Sequence, residues 1–159
     1  MKKTLDQIIG WVLAILMGIM TLDVLWGVFT RYVMDHQSPW SEEVARYLLI
    51  WIGILGAAYA AGQKLHLAID LLPTKLKGKQ KHWLDIVINT LIVLFSVSVL
   101  LIGGVRYVFI TFKLGQTSPA LQIPMGYVYL VIPLAGLLVI LYKLNDIRKL
   151  WKEVRRGVS

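Results

Sequence analysis

The chain has no cysteine, which excludes disulfides, thiolate metal sites and thiol nucleophiles. Acidic residues are few: nine Asp and Glu stand against 17 Lys and Arg in 159 residues. The histidines His36, His66 and His82 fall in connections or at the edges of apolar runs, so the paired mid-membrane imidazoles of a haem-binding bundle are lacking. No Ser-His-Asp set, zinc-ligand spacing or glycine-rich phosphate loop stands at the mouth of an apolar run. Catalysis and a bound cofactor or metal are therefore not expected. The basic excess lacks the interleaved aromatics of a nucleic-acid surface, which removes nucleic acid from the expected partners.

What the chain has instead is apolar length. It is 57% hydrophobic with a mean hydropathy of +0.67, too little polar surface for a soluble domain. Four runs, at about 8–29, 44–63, 86–108 and 124–142, are long enough to cross a hydrocarbon core of about 30 Å. The expectation is an all-α integral membrane protein, a single four-helix domain over 1–159. Thirteen of the 17 basic residues fall before the first run, between the second and third, or after the fourth. Only Arg31, Arg46, Arg106 and Lys113 lie in or beside the two other connections, so the positive-inside rule places both termini in the cytoplasm. The same basic residues suit contact with phospholipid headgroups.

Local signals refine this frame. The first run begins like a signal peptide behind Lys2 and Lys3 but is too long and lacks a cleavage pattern, so it reads as a retained anchor. Ser38-Pro39 marks the start of the second helix, as N-cap and first-turn proline, and Pro133 is tolerable inside the fourth. Two interfacial segments are expected, at about 65–72 and 143–155; in the latter Ile147, Leu150, Trp151 and Val154 oppose Arg148, Lys149, Lys152 and Arg155. The basic loop from Lys75 to Lys81 reads as topogenic and lipid-contacting, with a specific phospholipid pocket as the alternative. Arg31-Tyr32-Val33 with Ser38-Pro39 is echoed by Arg106-Tyr107-Val108 with Ser118-Pro119, either a duplicated hairpin or a coincidence. Gly10, Ala14 and Gly18 form one small-residue stripe, and Gly53, Ala57 and Ala61 another; either both pack the chain's own helices or one faces an external helix. Asp23 is the ionisable residue well inside a predicted span. It reads as structural, paired with Arg46, Arg106 or a hydrogen-bonding neighbour, against the alternative of an ion-pathway carboxylate.

The stretch Trp40-Ser41-Glu42-Glu43-Val44-Ala45-Arg46, then Trp51, Gly56-Ala57-Ala58 and His66-Leu67-Ala68-Ile69-Asp70, resembles the small membrane subunit of tripartite ATP-independent periplasmic (TRAP) transporters. Ile123-Pro124, Tyr127-Val128-Tyr129 and Ile132-Pro133 are similar to that family's last span, and the likeness runs from Arg31 to Pro133. The resemblance implies a scaffold in the bacterial inner membrane. That scaffold would support a large elevator-type subunit, which imports an organic acid such as sialic acid or a C4-dicarboxylate with sodium ions, and would help dock a soluble periplasmic binding protein. Because the sequence stops after its basic C-terminal stretch, the large subunit is expected as a separate chain in a stable heterodimer.

Transferred to these positions, Glu42, Glu43 and Arg46 are motif charges at the outer face, and His66 and Asp70 those at the inner face. Glu42 and Arg46 stand one turn apart and can pair, an interaction worth only ~0.2 to 0.5 kcal/mol on an exposed helix. The expected docking surface is Asp35, His36, Gln37, Trp40, Lys113 and Gln116, a mixture suited to a transient interface. The expected packing face for the large subunit is Gly53, Ala57 and Ala61. The competing reading is an autonomous proton-coupled four-helix exporter using Asp23, but dual-orientation dimers of that kind need a weak charge bias.

Overall fold

The computed structural model describes residues 2–36, 38–63 and 79–155. His66, Asp70, Gln37 and the interfacial segment expected at 65–72 lie outside them. Four stretches are long and apolar enough to cross a membrane: Lys3–Val33, Pro39–Gly62, Trp83–Lys113 and Met125–Trp151. The first is helix α1 (Lys2–Val33) and the second α2 (Pro39–Gly62). The third joins α3 (Lys79–Phe95), a π-helical stretch Ser96–Gly103 and α4 (Gly104–Lys113). The fourth joins α5 (Met125–Tyr129) to α6 (Val131–Arg155). At 32 residues, α1 is about 48 Å long, well over the ~30 Å of hydrocarbon it has to cross.

Each boundary has a local cause. Ser38 is extended and precedes Pro39, which tolerates the first helical position because it has no N–H to leave unpaired. The fourth span breaks between Tyr129 and Val131. That break falls where the Pro133 ring, lacking an N–H, excludes a regular turn against the carbonyl four residues earlier. Beyond it α6 continues without interruption to Arg155, so the segment expected at 143–155 belongs to the same helix as the last span. Within it Leu150 is buried and Arg148, Lys149 and Trp151 are exposed.

The spans form an open layer in the order first, second, fourth, third. α1 packs along α2; α6 packs on α2 and on all three pieces of the third span; the third span makes no substantial contact with α1 or α2. Where α6 meets α2 the core is Ala58, Ala61, Ala135 and Val139, flanked by Ile54, Ile92 and Leu138. Lipid gives helices no hydrophobic reason to associate, so small side chains that admit close backbone contact carry this packing. Close approaches also join the third and fourth spans. A Cβ on Gly136 would stand 2.8 Å from Leu100 Cβ, and one on Gly104 would stand 2.9 Å from Ile132 and 3.1 Å from the Pro133 nitrogen. Leu100 sits in the π-helical stretch, where the wider i→i+5 turn rephases the helix face that meets α6.

α1 is attached by a narrow seam. Asp6, Ile9, Leu13, Leu16, Met20, Asp23, Gly27 and Thr30 alternate by three and four residues, and all are buried or half-buried while most positions between them are exposed. That is a coiled-coil-like seam rather than a broad apolar face. The stripe Gly10, Ala14 and Gly18 is offset from it: Gly18 has nothing within 4 Å of a Cβ, and Gly10 has only the Tyr59 hydroxyl at 3.9 Å. Gly53, Ala57 and Ala61 likewise do not share one environment, since Gly53 is open and Ala61 lies in the internal core. Ala61 is therefore occupied by the chain's own packing.

Candidate functional site

The WSEEVAR stretch forms the first turns of α2, and its neighbouring glutamates point to different places. Glu42 is exposed and accepts from Arg46 Nη2 at 3.3 Å, both side chains mostly in solvent. This is the expected i,i+4 pair. Glu43 is buried. Its Oε1 accepts the backbone N–H of Ala120 at 3.1 Å and its Oε2 that of Leu121 at 3.1 Å, with the buried Ser118 side chain beside the same carboxylate.

The loop so held is itself ordered. Ser118 N–H donates to the Ile123 carbonyl at 2.9 Å, Met125 N–H to Gln116 at 2.8 Å and Gln122 N–H to Ser118 at 3.1 Å. An antiparallel bridge joins Thr117 and Pro124. A bidentate carboxylate acceptor satisfies two adjacent loop N–H groups that would otherwise need water, and charge-assisted bonds of this type exceed neutral ones in strength. Glu43 thus clamps the connection between the third and fourth spans to the start of α2.

Glu43 heads a ladder at helical spacing. Four residues on, the Tyr47 hydroxyl reaches Met125 Sδ at 3.4 Å; four further, the Trp51 indole N–H donates to the Val128 carbonyl at 3.0 Å. Three polar tips on one face of α2 therefore fasten successive points of residues 120–128. Phe112 stacks edge-on against Tyr127 at 5.1 Å, and Tyr107 against Tyr129 at 4.8 Å. Gly126 leaves the space the Phe112 ring occupies, since a Cβ there would collide with it.

The connection between the first two spans and the one between the last two consequently lie at the same end of the layer. Asp35, His36, Trp40, Lys113 and Gln116 are all exposed there. The sequence echo does not survive in three dimensions: Ser38-Pro39 starts a helix, whereas Ser118-Pro119 lies in the clamped loop and helix resumes only at Met125.

Asp23 does not meet the arginines expected for it. Arg46 is engaged by Glu42, and both Asp23 carboxylate oxygens are buried without a hydrogen-bond partner. The expected ion pair is absent because Asp23 occupies the seam against α2, where Ser41 Oγ donates to its backbone carbonyl at 3.0 Å and leaves the side chain unserved. At the opposite end, the Tyr142 hydroxyl donates to Asp6 Oδ1 at 2.7 Å, tying α1 to α6. Lys143 and Asp146 are buried nearby on α6 and engaged within the fold, so Lys143 is more than a headgroup-facing charge. Reading the sequence missed Glu43's role, although polar-tipped residues at 43, 47 and 51 were a visible signal. It also missed the Tyr142 to Asp6 bond, for which a lone Tyr and a lone Asp gave none.

An open layer of four helices long and apolar enough to cross a membrane, fastened at one end by a carboxylate clamp, defines a multi-pass membrane protein that is helical among its described residues. The chain belongs to the DctQ-component family of the tripartite ATP-independent periplasmic transporters, whose profile matches residues 20–153. The family is a transporter permease component and not an enzyme. The chain is 29% identical over 100 residues to the C4-dicarboxylate TRAP transporter small permease protein DctQ of Rhodobacter capsulatus, covering 63% of this chain and 44% of that protein. It is 26% identical over 139 residues to the sialic acid TRAP transporter small permease protein SiaQ of Vibrio cholerae, covering 82% and 79%. It is also 26% identical over 131 residues to the isethionate TRAP transporter permease protein DctMQ of Oleidesulfovibrio alaskensis, covering 81% of this chain but 20% of that longer protein. The chain therefore spans under half of the first relative's length and a fifth of the last.

Proposed function

We propose that this chain is the small scaffold subunit of an inner-membrane TRAP transporter. It holds a large elevator-type subunit that imports an organic acid with sodium ions, and it presents an outer surface to a periplasmic binding protein. The observation that carries the reading is Arg106. It is exposed on the outer side of the third span, in an apolar groove of about 440 Å³ formed with Leu101, Ile102, Val105 and Phe109. It has no ion-pair partner among the described residues. A guanidinium on an otherwise apolar helix face is better served by a protein partner than by lipid, and a large membrane subunit would supply one.

The Glu43 clamp adds the second half of the role. A scaffold that offers a docking surface needs a loop of fixed shape, and residues 116–125 are fixed to α2 independently of any partner. Relatives are named for C4-dicarboxylate, sialic acid and isethionate transport, so the solute follows from the other subunits rather than from this fold. Both termini are taken as cytoplasmic from the charge bias.

Co-purification of tagged chain with the large subunit tests the assembly. Arg106→Gln and Gly53→Leu should reduce recovery of the large subunit; unchanged recovery in both would defeat this reading of the outward faces. Charge reversal at Asp35 or Lys113 should instead leave the complex intact and weaken binding-protein-dependent uptake in a salt-sensitive way, because rim charges act mainly on encounter rate. Since the chain has no native cysteine, single cysteines at 36 and 159 report topology with an impermeant thiol reagent. Labelling of position 159 but not 36 on intact spheroplasts would reverse the orientation.

A further inference from the structure

The seam joining α1 to α2 opens at the clamped end into a cleft of about 280 Å³. Val24, Val28 and Ala45 line its deeper part, toward the middle of the helices, while Arg31, Ser38 and Glu42 stand at the helix ends. Apolar below and charged above is the order of a bilayer lipid in its normal orientation. The volume admits a headgroup and the upper part of an acyl chain but not a helix about 10 Å across.

The polar end of the cleft is under-satisfied. Pro39 has no N–H, and Ser38 makes no side-chain cap, so the first N–H groups of α2 lack the partner that a capping hydroxyl ordinarily provides. The Ser38 hydroxyl is itself more than nine-tenths buried and has no hydrogen-bond partner. Arg31 closes the last turn of α1 with no ion-pair partner among the described residues. Glu42 also lines the rim and is paired with Arg46 at 3.3 Å, so Arg31 is the unpaired charge of the rim. A positive helix N-terminus, a spare hydroxyl and an unpaired guanidinium together form a receptor for phosphate.

We propose that the cleft between the ends of α1 and α2 binds one glycerophospholipid. Arg31, Ser38 and the first turn of α2 hold its phosphate, and its acyl chain lies along Val24, Val28 and Ala45. The lipid completes the end of a helix that the chain leaves uncapped, and it stiffens the junction through which α1, otherwise held by a narrow seam, meets α2.

The test uses the full chain in mild detergent, with lipid occupancy counted by native mass spectrometry. The probes are palmitoyl-oleoyl phosphatidylglycerol, the matching diacylglycerol without phosphate, and inorganic phosphate. The expected result is one retained phospholipid that diacylglycerol does not replace and inorganic phosphate does not displace. Arg31→Gln should weaken retention by about tenfold, the scale of one lost charge-assisted bond; Ser38→Ala should weaken it less, and Ala45→Phe should abolish it by filling the cleft. Val24→Phe provides a second filling variant should Ala45→Phe lose helicity by circular dichroism. Equal retention by all variants, or equal binding of diacylglycerol, overturns the proposal. Displacement by inorganic phosphate would make the site one for a soluble anion and overturn the lipid assignment.

Discussion

The first and fourth spans are both long and strongly apolar, with mean hydropathies of 2.3 and 2.1, yet 39% of the fourth span's most apolar stretch is buried inside the protein against 11% of the first's. Hydropathy therefore places a helix in the membrane without saying where in the layer it sits. What separates the two is side-chain size and polar reach. The fourth span carries Ala135 and Gly136 in the middle, where bulk would hold neighbours apart, and it receives polar tips from α2 at one end. The first offers a single seam in which every third or fourth residue is buried or half-buried. Lipid rewards neither arrangement through the hydrophobic effect, so the centre of the layer goes to the helix that permits the closest approach.

The largest effect should come from adding bulk to the fourth span. Gly136→Leu drives a side chain into Leu100, whose Cβ would already be 2.8 Å from a Cβ at that position; overpacking of a tight contact costs about 1–3 kcal/mol, sometimes more. Gly18→Leu, which meets nothing within 4 Å, should leave the thermal midpoint of the detergent-solubilised protein unchanged. Equal effects at the two positions would break the contrast between a central and a peripheral span.

Next in size is removal of the clamp. Glu43→Ala leaves two loop N–H groups without their acceptor, so amide exchange at Ala120 and Leu121 should accelerate by at least about tenfold, as for a locally opened segment. Glu42→Ala breaks only an exposed pair and should leave both amides as they are. Exchange unchanged in Glu43→Ala would mean the loop is held by its own internal bonds alone.

How much of this was readable beforehand follows the same division. Four spans, the start of α2 at Ser38-Pro39 and the Glu42 to Arg46 pair are local properties, set by composition, proline geometry and i,i+4 spacing. The order of the spans is not local: when nearly every position is apolar, periodicity no longer marks the buried face. Nothing local sets Gly104 and Gly136 apart from Gly10 and Gly18, because what distinguishes them is the rotation of one helix against another. Asp23 was the most conspicuous residue for the same reason that its environment was unreadable. A lone charge in an apolar run announces that something is unusual but does not identify its neighbour.

A smaller effect is expected where α1 is tied to α6. Tyr142→Phe removes the 2.7 Å bond to Asp6 while keeping the ring beneath Gly62, where a Cβ would meet it at 2.8 Å. The loss should be about 0.5–1.5 kcal/mol, the net worth of one hydrogen bond, measured as a modest fall in thermal midpoint. Asp6→Ala, which removes the acceptor, should give a fall of similar size, and the double variant should show less than the sum, because each single change already breaks the same bond. Additive losses would place the two side chains in separate interactions.

The smallest effect should be at Asp23. Its two oxygens are buried with no partner, so the carboxyl group has nothing to repay its desolvation, and replacing it leaves no orphaned cation behind. Asp23→Asn preserves size and the Ser41 contact, which goes to the backbone carbonyl rather than to the carboxylate. Stability should therefore stay level or rise slightly, and transport by the assembled complex should persist at a substantial fraction. The same substitution separates the scaffold from an autonomous carrier, since a proton-coupled exporter would depend on this carboxylate. Full loss of solute uptake with normal assembly would move Asp23 from the α1 seam into the transport mechanism, and the narrow seam would then have to be read as part of an ion path rather than as an attachment.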